Sequence, residues 1–306
     1  MGLVAPPPVH PTRVAFLGTP ELSVPPLRAL VSAGFDVGLV ITRADKRRGR
    51  RGEPTPSPVK EAALELGLPV TSDVDAVLDA GADLGVVVAF GRLIRPHVLA
   101  ELPMVNLHFS LLPRWRGAAP VERALLAGDR ETGVDLMAVE EGMDTGPIYG
   151  RRRLEIDPTD TADHLRDRLV DLGTDLLVET LRTGLPEPVP QQGEPTYADK
   201  VERDDLALDW KRPADELHRI VRVGGAWTTV DGRLLKVHEA VPVEIGPVEA
   251  GSASTDREPG TLDGTVVATG RGGLALRTVQ PEGRARIDAA AWRNGARLGP
   301  DARLGT

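Results

Sequence analysis

The sequence predicts an α/β chain in two parts, a mostly parallel sheet covered by helices followed by a smaller all-β region. Three observations predict it. Short apolar runs alternate with amphipathic stretches through residue 182, the pattern of strands joined by crossover helices. A proline-rich polar stretch, LPEPVPQQGEPT, then interrupts the periodicity and reads as a linker over 183–205. From residue 206 to 306 the apolar segments become short and are separated by glycine turns. A length of 306 residues leaves room for about two ordinary domains.

Taken in order, RVAFLGT (Arg13–Thr19) is a short apolar run ending in glycine, a buried strand. Pro25 and Pro26 sit in the first turn of LRALVSAG, where proline is tolerated, and Gly34 closes that helix. DVGLVIT is a second strand, VKEAALELG a helix, LGVVVAF a third strand and MVNLH a fourth. PVERALLAG reads as a helix and VDLMAVE as another strand. HLRDRLVDLGTDLLVETLRTG is amphipathic, with Leu165, Leu169, Leu172, Leu176 and Leu177 on one side. RLLKVHEAV, GTVVATG and GLALRTV are short strands of a small barrel or sandwich. Ligands of such α/β sheets lie beyond the strand C-termini. Gly18, the loop after Thr42, His108 and Asp144 all follow strands, so they are expected to gather on that edge.

Composition narrows the function classes. With 41% hydrophobic and 27% charged residues the chain is an ordinary globular one. It has no cysteine, which excludes disulfides, thiol catalysis and thiolate zinc sites. The longest apolar runs, such as Leu84–Phe90, are strand length, so no membrane span is expected. MGLVAPPPVHPT lacks a basic region followed by an apolar core and is not read as a secretory signal. The expectation is a soluble cytoplasmic protein.

The net charge of −8 argues against bulk polyanion binding, yet charge is unevenly placed. Residues 206–306 hold 14 Lys and Arg against 13 Asp and Glu, a charge of +1, so the remainder carries −9. RADKRRGRRG, residues 43–52, holds six basic side chains against Asp45. Such a run on an acidic body can bind one shaped anion without attracting all of them. A solvated, flexible loop is the plainer alternative. LGTPEL has neither GxGxxG nor a Lys-Ser/Thr ending, so it does not read as a nucleotide loop.

The most informative stretch is Asn106-Leu107-His108-Phe109-Ser110-Leu111-Leu112-Pro113, taken with Asp144 in GMDTGP. In an extended segment Asn106 and His108 point the same way. A carboxamide, an imidazole and a carboxylate in one cleft suit acyl transfer to an amine. An α-amino group, with a reference pKa of about 7.7–8.0, is partly a free base without a strong catalyst. The harder task is to stabilise the oxygen that turns negative and to protonate the leaving nitrogen. An Asn amide and a His can donate to that oxygen, and an imidazole can move the proton. Asp144 would orient the ring or favour its protonated form. The plainer alternative has Asn106 capping a turn, His108 satisfied in the core and Asp144 in an ordinary loop. Sequence spacing alone leaves both open. A Ser110 nucleophile is disfavoured because no GxSxG elbow surrounds it.

NLHFSLLPRWRGAAPVERALLAGDRETGVDLMAVEEGMDTGPI resembles the central block of the formyltransferases that use N10-formyltetrahydrofolate. VAFLGTPELSVPPLRAL, TRADKRRGRRGEPTPSPVK, TYADKVERDDLALDW and LKVHEA are similar to the start, inserted basic loop and C-terminal part of those acting on methionyl-initiator-tRNA. The resemblance covers nearly the whole chain. It implies a Rossmann-like catalytic domain over 1–182 and an OB-like, tRNA-binding barrel over 206–306. It implies Asn106, His108 and Asp144 as the catalytic trio, with no metal. It places the donor folate against Leu84–Gly91, Ser110–Pro113 and Glu141–Thr145. Phe90, Gly91, Ser110, Leu111, Leu112, Pro113, Gly142 and Met143 are the expected contacts. Arg47, Arg48, Arg50 and Arg51 are expected to reach the tRNA acceptor stem, with Gly49 and Gly52 letting the loop reshape.

Arg284 and Arg286, with Arg293 and Arg297, are expected on its backbone, scattered surface arginines being the alternative. Trp210, Trp227 and Trp292 are expected in cores or at domain contacts rather than as stacking platforms, since aromatics make up only 3%. A monomer is expected. Two departures stand out: Phe109 occupies a place where the family has a small residue, and VRVGGAWTTV replaces a proline-rich turn after Arg222. A transferase acting on an amino sugar-nucleotide or purine precursor is the second enzyme reading. A folate- or RNA-binding protein without catalysis is the third, and an intact trio speaks against it.

Overall fold

The computed structural model describes residues 6–47, 53–244, 258–296, 298–299 and 302–305. Arg48, Arg50, Arg51 and Arg297 lie outside the described residues. The chain divides into two compact units. The first comprises Met1–Val121, Arg130–Ile156 and His164–Asp199; the second comprises Glu122–Asp129, Asp157–Asp163 and Lys200–Thr306.

Along the first part run β1 (Arg13–Gly18), α1 (Val24–Ser32), β2 (Asp36–Ile41), β3 (Lys46–Arg47) and β4 (Pro54–Thr55). Next come α2 (Pro58–Glu65), β5 (Val70–Thr71), β6 (Leu84–Val88), α3 (Pro96–Glu101) and β7 (Met104–His108). Then follow β8 (Arg116–Gly117), α4 (Pro120–Ala127), β9 (Glu131–Ala138), β10 (Ile148–Glu155), α5 (Ala162–Thr183) and β11 (Tyr197–Ala198). One seven-stranded sheet has the order β10-β9-β7-β6-β1-β2-β5. Its strands from β5 to β7 are parallel, while β9 and β10 are antiparallel additions. Val14–Leu17 of β1 and Val86 and Val88 of β6 are fully buried, as central strands covered on both faces must be. The helix starts follow local chemistry. Pro25 and Pro26 open α1, and Ser57 caps α2 by accepting from Lys60 N at 3.0 Å.

Two expectations need correction. The stretch from 183 to 199 is no free linker. Val189 bridges Ile148, β11 pairs in parallel with β8, and Thr196 N donates to Pro113 O. Its prolines prevent a helix, yet backbone groups of Leu185, Val189, Thr196 and Ala198 find partners within the first unit, which a sequence pattern does not show. Secondly, β9 runs antiparallel to β7, so its C-terminal end is not on the shared edge of the parallel strands, and Asp144 comes within 3.6 Å of His108 through its loop and not through the direction of the strand. Asp144 belongs to the loop joining the antiparallel β9 and β10, closed where Ala138 N donates to Pro147 O.

The second unit holds α6 (Ala214–Val223), β12 (Trp227–Val230), β13 (Arg233–Val243), β14 (Leu262–Asp263), β15 (Val266–Ala268), β16 (Gly273–Pro281), β17 (Ile287–Asp288) and α7 (Ala289–Gly295). Its antiparallel sheet has the order β12-β13-β16-β15-β14, with β17 on β16. Leu304 bridges Val230 at the end of β12, and Arg303 bridges Thr261 beside β14. This segment returns the sheet to its first strand, so the barrel alternative describes the region. Trp210, Leu217, Ile220, Leu235, Val237, Leu276 and Trp292 share its core. Trp210 is buried and donates its indole N–H to Thr228 Oγ1 at 3.0 Å. Trp227 donates to Arg203 O at 2.8 Å. Arg222 lies within this unit, donating to Asp160 O at 2.6 Å and Asp157 O at 2.9 Å.

Candidate active site

His108 ends β7, and strand alternation places it on the face that carries Asn106. Its imidazole is enclosed, with 6% of the side chain exposed, and Asp144 retains 19%. Nε2 lies 2.8 Å from Trp115 O. A carbonyl can only accept, so Nε2 carries the proton in either charge state that keeps this bond. Nδ1 therefore faces outward from that anchor, and Asp144 Oδ2 lies 3.6 Å from it. A proton at Nδ1 would face the Asp144 carboxylate.

Asp144 is itself held. Gly117 N donates to its Oδ2 at 2.8 Å, and Gln191 Nε2 donates to its backbone carbonyl at 2.8 Å. Trp115, whose carbonyl is bonded to Nε2, and Asp144, whose carboxylate faces Nδ1, both adopt left-handed backbone conformations, φ 64° and 53°. Such conformations persist where surrounding bonds over-determine them, as at catalytic sites. Trp115 N donates to Thr196 Oγ1 at 2.9 Å, one such bond. The loop has little spare volume: a Cβ on Gly146 would lie 2.0 Å from Ala138 O.

Beneath the loop after His108 is an ion pair with a fully buried carboxylate and a partly exposed guanidinium. Asp135 lies opposite His108 across β7 and β9 and is fully buried. It accepts from Arg151 Nε at 2.7 Å, Arg151 Nη2 at 2.6 Å and Leu112 N at 2.8 Å. Arg151 Nη2 also donates to Leu112 O at 2.6 Å, so the pair grips both sides of that residue's backbone. Burial pushes the Asp135 carboxyl above its ordinary value, and the hydrogen bond and charge of Arg151 hold it back. The same hydrogen bond pushes Arg151 up.

The chain matches the Formyl transferase family over residues 12–181 and the Formyl transferase C-terminal domain over residues 200–297. The chain belongs to the formyltransferase family. It is 43% identical to a methionyl-tRNA formyltransferase from Heliobacterium modesticaldum, over 96% of this chain and 100% of that one. It is 42% identical to one from Symbiobacterium thermophilum, over 92% of each. Among solved structures, an N-formyltransferase from Helicobacter canadensis, crystallised with folinic acid and dTDP-3-aminofucose, superposes with a TM-score of 0.63. That match has 17% identity and covers 87% of this chain and 99% of the other, a likeness of fold.

As a formyltransferase, the chain disperses the expected donor contacts over several environments. Phe90 and Gly91 line a cavity of about 500 Å³ together with Thr19, Arg43, Lys46 and Arg92. Leu112 lines a separate cavity of about 370 Å³ beside Tyr149, Arg151 and Gln191. Ser110 is buried and donates to Arg114 O at 2.6 Å, and Leu111 packs against Gly133 of β9. Pro113 O accepts from Thr196 N at 3.2 Å. Gly142 is exposed, as is Met143 at 59%. Arg47 is exposed in β3, and Arg284 and Arg286 are exposed between β16 and β17. Phe109 is buried, with its ring beside Gly173 of α5. No helix among the described residues is long and apolar enough to cross a membrane.

Sequence reasoning missed Trp115, Gly117, Asp135, Arg151 and Gln191. Asp135 left a signal, a lone carboxylate inside the apolar strand GVDLM. Trp115 and Gly117 act through backbone groups, which leave none.

Proposed function

We propose that this formyltransferase moves a formyl group from N10-formyltetrahydrofolate to the amino group of methionyl-initiator-tRNA, in the cytoplasm and as a monomer. The carrying observation is the His108 geometry, with Nε2 tied to Trp115 O and Nδ1 turned to Asp144. Similarity along nearly the whole chain to enzymes named methionyl-tRNA formyltransferase supports the choice of a methionyl-tRNA acceptor.

The donor folate supplies a formyl carbon activated by its bond to nitrogen. The cavity beside Phe90 suits a flat heterocycle on three grounds. Its volume, about 500 Å³, is within the range of ligand pockets, one wall is aromatic, and the loop turns through left-handed Ala89 (φ 46°) and Gly91 (φ 71°).

His108 donates from Nδ1 to the formyl oxygen as negative charge builds there, and the Asn106 amide supplies the second donor. Asp144 orients the ring and balances its charge. As the bond from carbon to the acceptor amine forms, the old carbon–nitrogen bond breaks. His108 delivers a proton to the departing nitrogen, and the proton lost by the amine restores it.

Arg47, Arg48, Arg50 and Arg51 are assigned to the tRNA acceptor stem, and Arg284 and Arg286 to its backbone. Guanidinium groups suit phosphates. The basic rim of the cavity, with Arg43 and Lys46, supports the same reading. The test offers formyl-labelled donor with charged initiator tRNA and a small amino sugar-nucleotide in competition. Label is expected in the tRNA; label only in the small acceptor would refute the proposal. Replacing the four loop arginines by Ala should weaken tRNA use and flatten its salt dependence.

A further inference from the structure

We propose that Gln191 is a positioning residue for Asp144, and that the segment containing it clasps the catalytic pair from both sides. The proposal rests on the assignment of Asp144 to catalysis. Gln191 Nε2 donates to Asp144 O and to Gly146 O, each at 2.8 Å. Its Oε1 accepts from Arg116 Nη2 at 2.6 Å and Nε at 3.1 Å. One half-buried amide thus links the backbone of one segment to a side chain of another that is distant in sequence. The first is the Asp144 loop, and the second is β8, whose Gly117 N binds the Asp144 carboxylate.

The same segment holds the other nitrogen's partner. Thr196 Oγ1 accepts from Trp115 N at 2.9 Å, and Arg116 N donates to Thr196 O at 2.8 Å. Ala118 N and Ala119 N both donate to Ala198 O. Residues 191–198 therefore fix Trp115, which anchors Nε2, and Asp144, which faces Nδ1. The 3.6 Å separation of Nδ1 and Oδ2 is set by these backbone positions, because neither side chain is long enough to compensate for a moved loop.

Gln191 suits this place because it alone of the common side chains offers two donors and an acceptor at that length. Glu at this position keeps the contact with Arg116 and loses both donations to the Asp144 loop. Met keeps the length and loses all of them. Displacing a catalytic group by about 1 Å can cost on the order of 100-fold in rate.

The experiment compares wild type, Gln191→Met, Gln191→Glu and Asp144→Asn as full chains in formyl transfer. Secondary structure is checked by circular dichroism and thermal midpoints are recorded. Both Gln191 variants are expected to lose about 10- to 100-fold in kcat, with KM for either substrate within about twofold. Their kcat–pH profile should move in the direction seen for Asp144→Asn. A Gln191→Glu enzyme with wild-type kcat and pH profile, beside an impaired Asp144→Asn enzyme, would overturn the positioning role alone. Unimpaired Asp144→Asn would instead overturn the catalytic reading beneath it. Loss of kcat with an unchanged pH profile would mean a merely structural role and would also overturn the proposal.

Discussion

Arg151→Met isolates the ion pair beneath the catalytic loop. Asp135 is fully buried, and two of its three hydrogen bonds come from Arg151. Removing the guanidinium leaves the carboxylate with Leu112 N. Breaking a buried pair in this way costs about 3–5 kcal/mol. The carboxyl can relieve that cost by binding a proton, at about 1.4 kcal/mol for each pH unit separating its pKa from the solution.

Burial already holds this carboxyl above its ordinary value, with Arg151 acting against the rise, so the variant should raise it further. The sign follows from linkage. A carboxyl raised on folding contributes stability that is complete below its unfolded pKa, about 3.9, and is lost as pH rises through the folded value. The deficit of Arg151→Met should thus be largest near pH 8 and shrink toward pH 5. In urea unfolding followed by circular dichroism, the midpoint at pH 8 should fall by about 1–3 M. Asp135→Leu with Arg151→Met should recover much of it. Equal midpoints at pH 8, or a deficit that grows on acidification, would refute the reasoning.

Two further outcomes follow from packing. Gly146→Ala would place a Cβ 2.0 Å from Ala138 O, so the Asp144 loop must shift. Steady-state assays should show kcat reduced by at least about tenfold, with the thermal midpoint little changed. Phe109→Ala should cost about 3–5 kcal/mol, measured by urea unfolding, because the buried ring beside Gly173 leaves a cavity.

The sequence made the architecture legible where periodicity and punctuation agree. The apolar runs of β1, β2, β6 and β7, the Pro25–Pro26 start of α1 and the glycine-spaced strands of the second unit are all visible in it. The direction of β9 was not, since an apolar run carries no polarity. The docking of 183–199 was hidden because proline-rich segments look alike whether solvated or bound. Asn106, His108 and Asp144 could be picked out by chemistry, but their geometry depends on Trp115 O, Gly117 N and Gln191. Two of those act through backbone atoms that every residue possesses, and Gln191 lies in a stretch with no periodicity to interpret.

The central claim is that His108, anchored at Nε2 and served by Asp144 at Nδ1, carries formyl transfer. Single-turnover transfer from labelled N10-formyltetrahydrofolate to charged initiator tRNA, for wild type against His108→Ala, tests it most directly. The rate should fall at least about 100-fold, with donor affinity and circular dichroism unchanged. A variant that transfers formyl at the wild-type rate would contradict it.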